Sequence, residues 1–394
     1  MLKDIIRTAL VVVLLILSLE AGVRVAAFLW LDHGEYYFFY GFHNLTGNIG
    51  ISPWWTHSGR HYKFPPHYLL KGAAGQDSEI ASINSLGFRG PEFQPAKPPG
   101  VFRIICMGES STFGYRNTDT GTYPFFLESI LSNDFRASRI EVINAGFPYY
   151  NTGSILSLLQ EDLLNYRPDL LTLYSAFNDT AWPLEVSPVN RAFFWIQEHS
   201  AIYLAIKDSL HTDTLYSKVV AKMIRKITPE RVDYTQFNKD LEQVTLRYRK
   251  NVQTIVRLAK ANAILIILIK QPMTTEDTQR RIPAPYEREY QTIMEKFRRG
   301  AFLLPRALLI VKHHRLIEEL EKIAKEEQVP VVDNIAIVDQ DRRRLASWVH
   351  LTEEANLRLA EALTAQIKPY LVAEKPTDPK PKNALAGQQT LLLN

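Results

Sequence analysis

The stretch that decides the fold is Phe102-Arg103-Ile104-Ile105-Cys106-Met107-Gly108-Glu109-Ser110-Ser111-Thr112-Phe113-Gly114. The residues before Gly108 are mostly apolar, as in a buried β-strand, and a serine follows the glycine closely. Glycine allows a sharp turn, so Ser110 stands at the carboxyl end of the strand, where α/β proteins do their chemistry. Ser110 is therefore a candidate nucleophile. The alternative is a small-residue turn that only packs the strand against a helix.

Polar segments follow two further apolar runs in the same way. Ile140 to Ile143 precedes Asn144-Ala145-Gly146-Phe147-Pro148-Tyr149-Tyr150-Asn151-Thr152, and Leu170 to Tyr174 precedes Ser175-Ala176-Phe177-Asn178-Asp179. Near the carboxyl end, His350-Leu351-Thr352 lies just before a predicted helix. Each segment alone is a weak signal, but their order along the chain is specific.

In this order the segments resemble the SGNH (GDSL-type) hydrolase superfamily, whose blocks read Gly-Asp-Ser, a glycine after the second strand, Gly-x-Asn-Asp and Asp-x-x-His. The resemblance covers about Asn84 to Leu371, and Asn84-Ser85-Leu86-Gly87-Phe88-Arg89-Gly90 is similar to the leading segment of bacterial membrane-anchored members. It implies a three-layer α/β/α fold with a flavodoxin-like parallel sheet, and it implies chemistry on esters.

The resemblance assigns a role to each matching position. Ser110 is the expected nucleophile and His350 its general base, because a hydroxyl reacts poorly until a base takes its proton. The side chain of Asn178 is expected to stabilise the oxyanion, together with the backbone N–H groups of Ser110 and Tyr149. A surface histidine and an ordinary turn asparagine are the alternatives for His350 and Asn178.

The chain departs from the family pattern at three positions. Ser347 stands where the family has the aspartate that orients the imidazole, so a serine hydroxyl is the possible orienter of His350. Tyr149 occupies the glycine position of the second block, where its N–H can donate if its φ is negative. Glu109 replaces the aspartate beside the nucleophile and keeps an acidic residue there. Three nearby carboxylates have no motif that recommends them as substitutes: Asp339, Asp341 and Glu354.

Composition bounds the class of protein. The 394 residues are 46% hydrophobic, which is ample for one large core, and 46 basic against 42 acidic residues leave a net charge of only +4. The sequence has no zinc-ligand spacing, P-loop or Rossmann glycine fingerprint, so neither a metal, a cofactor nor a nucleic acid partner is expected. The single cysteine, Cys106, is expected to be a small core residue.

The amino terminus predicts a membrane anchor. An apolar stretch runs from Ala9 to Leu31 after Lys3 and Arg7, and it is long enough to span a membrane if Glu20 and Arg24 pair with each other or face a partner. The basic residues place the amino end in the cytoplasm, and hence the rest of the chain in the periplasm or outside the cell. A cleaved signal peptide is the alternative.

Strands and helices alternate along the middle of the chain, which predicts a parallel sheet. The predicted strands are Arg103 to Met107, Ile140 to Ile143, Leu170 to Tyr174, Ile264 to Ile269 and Val329 to Asp333. The predicted organisation is an anchor over 1–31, an irregular juxtamembrane segment over 32–100, an SGNH-type domain over 101–372 and a disordered tail over 373–394.

Two insertions interrupt the alternation, at about 183–233 and 274–309. The first insertion begins directly after the predicted Asn178 loop, so it is placed to form a lid or an acceptor surface. A helical hairpin that extends the core is an equally favoured alternative. The second is rich in arginine and suits an anionic glycan, although solvated helix charge is the default. His313 and His314 lie on a predicted helix and are interpreted as surface residues.

The sequence therefore predicts an extracytoplasmic, membrane-anchored serine esterase or O-acyltransferase. Its expected substrate is an acylated glycan or another ester, its membrane contact is lipid around the amino-terminal helix, and no protein partner is indicated. The alternative is a catalytically weak or inactive SGNH scaffold that serves in binding or in the assembly of envelope polysaccharide machinery. Ser347 is the residue that keeps this alternative open.

Overall fold

The structure is a computed structural model. It describes residues 2–30, 63–64, 69–71, 79–135, 139–181, 234–278, 280–301, 303 and 305–373. The first predicted insertion, the tail beyond 373 and most of 32–78 lie outside these residues.

A five-stranded parallel sheet forms the centre of the fold. In chain order the strands are β1 (Leu69–Lys71), β2 (Glu79–Ser82), β3 (Val101–Gly108), β4 (Arg139–Gly146), β5 (Leu170–Tyr174), β6 (Leu265–Ile269) and β7 (Val331–Val332). The spatial order in the parallel sheet is β4-β3-β5-β6-β7, which is the flavodoxin-like order with the first strand of the sheet next to its centre. β1 and β2 form a separate antiparallel pair, where the sequence predicted irregular structure.

Helices cover both faces of this sheet. The helices of the described residues are α1 (Leu2–Trp30), an exposed apolar helix, and, packed around the sheet, α2 (Ser110–Phe113), α3 (Tyr123–Asp134), α4 (Thr152–Glu161), α5 (Phe177–Ala181), α6 (Tyr234–Ala261), α7 (Tyr286–Arg298), α8 (Pro305–Glu327), α9 (Asn334–Asp339) and α10 (Glu353–Ala373). Successive residues of a strand point to opposite faces, so β3 serves two cores. Ile105 and Met107 pack in the core with α4, α6 and α8, while Ile104 and Cys106 pack in the core with α3 and α10. The predicted three-layer α/β/α SGNH fold is confirmed.

The register of the sheet brings the chemistry-bearing segments to one edge. Gly108 at the end of β3 lies beside Gly146 at the end of β4 and beside Tyr174 at the end of β5. The loop after each of these strands therefore starts at the same level of the sheet. This is the carboxyl edge, where open α/β sheets bind their ligands.

The predicted elements are found with shifted bounds. β3 and β4 each extend beyond the predicted runs, whereas the last strand shortens to Val331–Val332 because Asp333 caps α9 by accepting the backbone N–H of Ala336. Apolar residues at three- and four-residue spacing form the buried face of α6. The interpretation of His313 as a surface residue is wrong, since its side chain is fully buried against Tyr286, whose hydroxyl lies 2.7 Å from His313 Nδ1.

Helix α1 is the described segment that is long and apolar enough to cross a membrane. The candidate span is Ile6–Ala26, with a mean hydropathy of 2.3. Its two charged residues pair as predicted: Arg24 donates from Nε to Glu20 Oε1 over 3.0 Å, one helical turn away. A retained anchor and a cleaved signal sequence share this property.

Candidate active site

Ser110 begins a four-residue helix directly after β3. Glu109 precedes this helix in extended conformation, and Gly114 ends it with φ +83°, a left-handed conformation that glycine adopts without steric cost. The helix also lies very close to β4, since a Cβ on Gly146 would be 2.1 Å from the backbone nitrogen of Phe113. Glycines thus allow the sharp exit from β3 and the close approach that together place Ser110 at the sheet edge.

Ser110 meets His350 although they are far apart in sequence. Nε2 of His350 lies 2.8 Å from Oγ of Ser110, and Nδ1 of the same ring lies 2.5 Å from Oγ of Ser347. In the tautomer that suits a general base, Ser110 donates its hydroxyl proton to Nε2 while Nδ1–H donates to Ser347 Oγ. The arrangement is a serine–histidine dyad whose imidazole is oriented by a second serine.

The three neighbouring carboxylates are engaged elsewhere. Asp339 accepts from the backbone N–H of Tyr286 and from Arg342, Asp341 pairs with Arg343, and Glu354 pairs with Arg344. At Nδ1 of His350, the position of the family's aspartate is taken by the Ser347 hydroxyl. The imidazolium that forms during catalysis would therefore have a hydrogen-bond acceptor beside it, without a negative charge at this position.

The surroundings of His350 favour its neutral form. Burial, assisted by the positive charge of Arg116, lowers the pKa of His350 to about 3. The Tyr115 ring also lies against the imidazole, with 4.9 Å between ring centroids. Because a general base must be neutral to accept a proton, His350 is in the required state from weakly acidic pH upward.

Asn178 lies in α5, directly after the loop that follows β5. Its side-chain Nδ2 donates to the carbonyl of Tyr150 over 2.8 Å, which fixes which end of the amide carries the hydrogens. An amide nitrogen has two hydrogens, so this bond to the loop after β4 leaves one hydrogen for a substrate oxyanion. The contact joins the second and third family blocks.

Tyr149 does not meet the condition set from the sequence, because its φ is +62° rather than negative. Pro148 precedes it, and the backbone N–H of Tyr150 donates to the carbonyl of Phe147 over 3.2 Å. Proline at the second position and a positive φ at the third are features of a type II turn, in which glycine is the usual third residue. The turn therefore keeps the geometry of the glycine block with a tyrosine in it, and the tyrosine side chain is 57% exposed.

Glu109 is more than a conservative replacement for aspartate. Its buried carboxylate accepts from the Ser175 hydroxyl over 2.7 Å, from the Ala176 N–H over 2.9 Å and from the Asn178 N–H over 3.3 Å. Burial raises the pKa of Glu109 to about 8 in spite of these hydrogen bonds. The residue beside the nucleophile therefore ties the β3 turn to the loop that carries Asn178.

The loop that carries His350 is tied down along its length. Arg116 donates to the carbonyl of Ala346 over 3.0 Å, the Thr274 N–H donates to that of Trp348 over 2.8 Å, and Asn117 donates to that of Leu351 over 3.0 Å. Hydrogen bonds to backbone carbonyls on both sides of His350 thus hold this loop in the position that brings the imidazole to Ser110.

Sequence reasoning missed Arg89 as a part of this site. Its buried guanidinium donates to the carbonyls of Phe113, Gly114 and Asn117 and pairs with Asp119 over 2.8 Å. These carbonyls lie at the end of α2 and just beyond it, so Arg89 secures the chain shortly after Ser110. The only signal in the sequence was its place in the leading segment that resembles membrane-anchored members.

Gln271 was also missed. It follows β6 at the same edge of the sheet and is fully buried. Its Oε1 accepts the backbone N–H groups of Ala176 and Phe177 over 2.9 and 2.7 Å, and its Nε2 donates to Ser111 Oγ over 3.1 Å. A glutamine after an apolar strand is a weak sequence signal, and the contacts of Gln271 with two separate loops are seen only in the folded structure.

Within the described ranges, no three His, Cys, Asp or Glu side chains are grouped so that they could hold a metal ion. The chemistry that this part of the chain offers is that of hydroxyl, imidazole and amide groups.

A flavodoxin-like sheet with a serine and a histidine at hydrogen-bond distance on its carboxyl edge is an arrangement typical of α/β serine hydrolases. Residues 106–358 match the GDSL-like Lipase/Acylhydrolase family, and the chain belongs to this family. The superfamily predicted from the four sequence blocks is confirmed, and with it membership of a family of ester hydrolases.

The chain is also similar to several solved structures. The lipase/acylhydrolase from Enterococcus faecalis is 14% identical, with a TM-score of 0.38 over 68% of this chain and 96% of that chain. A variant of Axe2, an acetyl xylan esterase from Geobacillus stearothermophilus, is 16% identical, with a TM-score of 0.39 over 70% of this chain and 97% of that chain. No curated protein sequence matches this chain.

Proposed function

We propose that the protein is a serine esterase or O-acyltransferase that works through an acyl-enzyme on Ser110. The observation that carries the proposal is the 2.8 Å contact between Ser110 Oγ and His350 Nε2 at the carboxyl edge of the sheet. A nucleophile and a base within hydrogen-bond distance are the minimum for covalent acyl transfer, and membership of an ester-hydrolase family supports this reaction.

In the first half-reaction, Ser110 Oγ attacks the ester carbonyl while its proton passes to His350 Nε2. The tetrahedral oxyanion is stabilised by the Asn178 side-chain amide and by backbone N–H groups, among them that of Ser110. The bond to the leaving alcohol then breaks, and the alcohol takes the proton from Nε2. Ser347 accepts a hydrogen bond from Nδ1–H throughout and holds the ring in place.

In the second half-reaction, water or a sugar hydroxyl attacks the acyl-enzyme and gives its proton to Nε2. Ser110 leaves the carbonyl and recovers that proton. Hydrolase and transferase share all groups on the enzyme and differ only in the acceptor. An acylated glycan or another ester is the proposed substrate.

The proposed location is the extracytoplasmic face of a bacterial membrane. Helix α1 has the length and hydropathy of a single span, and Lys3 and Arg7 lie near its amino-terminal end, on the side expected to remain in the cytoplasm. The acyl-transfer domain would then face the periplasm or the cell exterior, close to envelope glycans.

The second candidate function is that of a catalytically weak or inactive scaffold in envelope polysaccharide assembly. It is favoured by one observation, the serine in place of a carboxylate at Nδ1 of His350. Without that charge the imidazolium intermediate is less stabilised. The two candidates differ in whether Ser110 reacts at all.

The test is covalent labelling of the full-length, detergent-solubilised protein with a fluorophosphonate. We expect the wild type to be labelled and Ser110→Ala not to be, because the probe traps an activated serine. His350→Ala should lower p-nitrophenyl acetate turnover by about two to four orders of magnitude, as expected for loss of a general base.

The matched control is His314→Ala, which removes a histidine from α8 that takes no part in the site. It should retain labelling and turnover. An unlabelled wild type, or labelling that survives Ser110→Ala, would exclude the proposed mechanism and favour the scaffold. Unchanged turnover in His350→Ala would point to another base.

A further inference from the structure

Three separate loops supply the groups of the proposed site. Ser110 follows β3, Asn178 follows β5, and His350 precedes α10. Their relative positions must be held to a fraction of an ångström for proton transfer and oxyanion binding to occur together. The family match does not indicate which residue couples the three loops.

One continuous hydrogen-bonded chain runs between these loops. The backbone N–H groups of Ala176 and Phe177 donate to Gln271 Oε1, and Gln271 Nε2 donates to Ser111 Oγ. The Ser111 hydroxyl in turn donates to the carbonyl of Val349 over 3.0 Å. Each bond contacts a residue within two positions of Asn178, Ser110 or His350.

The direction of every bond in this chain is determined. Two backbone N–H groups can only donate, so the oxygen of the Gln271 amide must face them and the nitrogen must face Ser111. A carbonyl can only accept, so the Ser111 hydroxyl must donate to Val349 and accept from Gln271. Glutamine supplies one acceptor and one donor at the required separation, which its isostere glutamate in the ionised form does not.

Burial makes this hydrogen-bonded chain sensitive to substitution of its members. Gln271 is fully buried and Ser111 is 2% exposed, so water does not replace a lost partner easily. Glu109 accepts the same Ala176 N–H, which places its carboxyl group next to the Gln271 amide.

We propose that Gln271, acting through Ser111, is the positioning residue that couples the nucleophile, oxyanion and histidine loops. This inference rests on the proposed function, because a positioning role requires that Ser110, Asn178 and His350 act together. Gln271 contacts no substrate in this scheme. Its effect appears in kcat rather than in substrate binding.

The main test is Gln271→Glu in the full-length chain, assayed for p-nitrophenyl acetate turnover from pH 5 to 7.5. An ionised carboxylate still accepts from Ala176 and Phe177, but it draws the Ser111 hydroxyl towards itself and releases Val349. A protonated carboxyl donates to Ser111 as the amide did. We expect kcat about 10- to 100-fold below wild type at pH 7.5, with recovery as the pH falls.

The range of pH is chosen so that the other titrating groups of the site interfere little. His350 has a pKa of about 3 and stays neutral throughout, while Glu109 has a pKa of about 8 in the wild type as well. The difference between the two pH profiles therefore reports the new carboxyl group. Burial raises its pKa above the ordinary value.

A second variant keeps the test decisive if Gln271→Glu folds poorly. Ser111→Ala breaks the same chain at its other end with the loss of one atom, and it should lower kcat by a similar factor without a pH-dependent recovery. The double variant should remain within about threefold of the single variants, because the two residues act in one chain. Asn356→Asp is the matched control: Asn356 is a buried amide whose Nδ2 donates to the Gly121 carbonyl over 2.9 Å, and it is not a member of this hydrogen-bonded chain.

The outcomes separate this inference from the proposed function. Wild-type labelling by the fluorophosphonate together with a wild-type pH profile in Gln271→Glu overturns the inference alone. Fully additive losses in the double variant, or an equal loss in Asn356→Asp, overturn it as well. An unlabelled wild type overturns the proposed function and this inference with it.

Discussion

At the scale of the residue, Ser347 determines how the proposed dyad differs from a triad. Its hydroxyl orients the imidazole as a carboxylate would, but it adds no charge beside the ring. Burial and Arg116 therefore lower the pKa of His350 without a carboxylate partner at Nδ1 to oppose them. The proposed base therefore stays neutral over a wide range of pH, and no charge at Nδ1 stabilises its imidazolium form.

Ser347→Asp should reverse both properties. A carboxylate beside Nδ1 stabilises the imidazolium, so it raises the pKa of His350 and moves the acid limb of kcat/KM from near 3 towards the ordinary histidine value. Since activity is lost when the base is protonated, the variant loses activity at a higher pH than wild type. Above that limb, kcat/KM should rise about 10-fold or more. Ester hydrolysis between pH 4 and 8 measures both effects.

Ser347→Ala is the control for this substitution, because it removes the hydrogen bond without adding charge. It should lower kcat and leave the acid limb at low pH. If Ser347→Asp shifts neither the limb nor the rate, then the hydroxyl at Nδ1 is not the feature that limits the dyad.

At the scale of the element, two glycines set the position of the nucleophile helix. A Cβ on Gly108 would be 2.0 Å from Thr112 Oγ1, and one on Gly146 would be 2.1 Å from the Phe113 nitrogen. The short helix α2 is thus seated against the ends of β3 and β4. Backbone atoms cannot move aside as a flexible side chain can, so the contact at Gly146 is the less tolerant of the two.

Gly146→Ala should therefore displace α2 and destabilise the domain. We expect the free energy of unfolding to fall by about 1–3 kcal/mol, as is usual for overpacking a well-packed interior. Labelling of Ser110 should slow at the same time. Urea unfolding and fluorophosphonate labelling rates test the two effects separately.

Gly121→Ala is the matched control, since the nearest atoms to its new Cβ are side-chain atoms of Glu353 and Thr118 at 3.3 Å. These side chains can yield by a small rotation, so stability and labelling should change little. Equal losses in the two variants would mean that the close approach at Gly146 is not what seats the helix.

The sequence predicted the elements well where local pattern decides them. The alternation of apolar runs and helical stripes was enough for the sheet class, and the strand ends were enough to bring Ser110, Asn178 and His350 forward as candidates. The roles of these three residues remain predictions that the labelling experiments test.

Local sequence pattern did not predict the contacts between distant segments. No motif in the sequence marks Gln271 or Arg89 as part of the site. Their hydrogen bonds to Ser111 and Phe113, in the segment that carries Ser110, are seen only in the folded structure. His313 sits on an amphipathic helix whose buried face is wider than its apolar residues suggest, because Tyr286 supplies a hydrogen-bond partner inside. The positive φ of Tyr149 likewise depends on the turn that surrounds it.

At the scale of the whole molecule, the proposed anchor determines which esters the site meets. We expect the full-length chain to remain in the membrane fraction after alkaline carbonate extraction, and a chain that lacks residues 1–30 to become soluble with its esterase activity retained. Release of the full-length chain from the membrane by carbonate would contradict the proposed anchor. The mass of the purified amino terminus distinguishes a retained helix from a cleaved leader.

The orientation can be tested with a single thiol. Cys106 is the only cysteine in the sequence, and burial raises its pKa to about 12, so it offers little background to a maleimide reagent. Asn262→Cys places a thiol in the exposed turn after α6. A membrane-impermeant maleimide should label it in intact spheroplasts, whereas labelling only after lysis would place the domain in the cytoplasm.

The hydrogen bonds and the ion pair of Arg89 determine where an active fragment of this protein can begin. The family match starts at residue 106, yet Arg89 pairs through its backbone with Asn144 at the sheet edge and through its guanidinium with the chain that follows Ser110. Asp119, its partner, also accepts from Ser82 at the end of β2. A fragment cut to the family boundary would keep every proposed reactive group and lose the arginine that steadies the chain beyond the nucleophile. Soluble versions for crystallisation or screening should therefore begin ahead of β2.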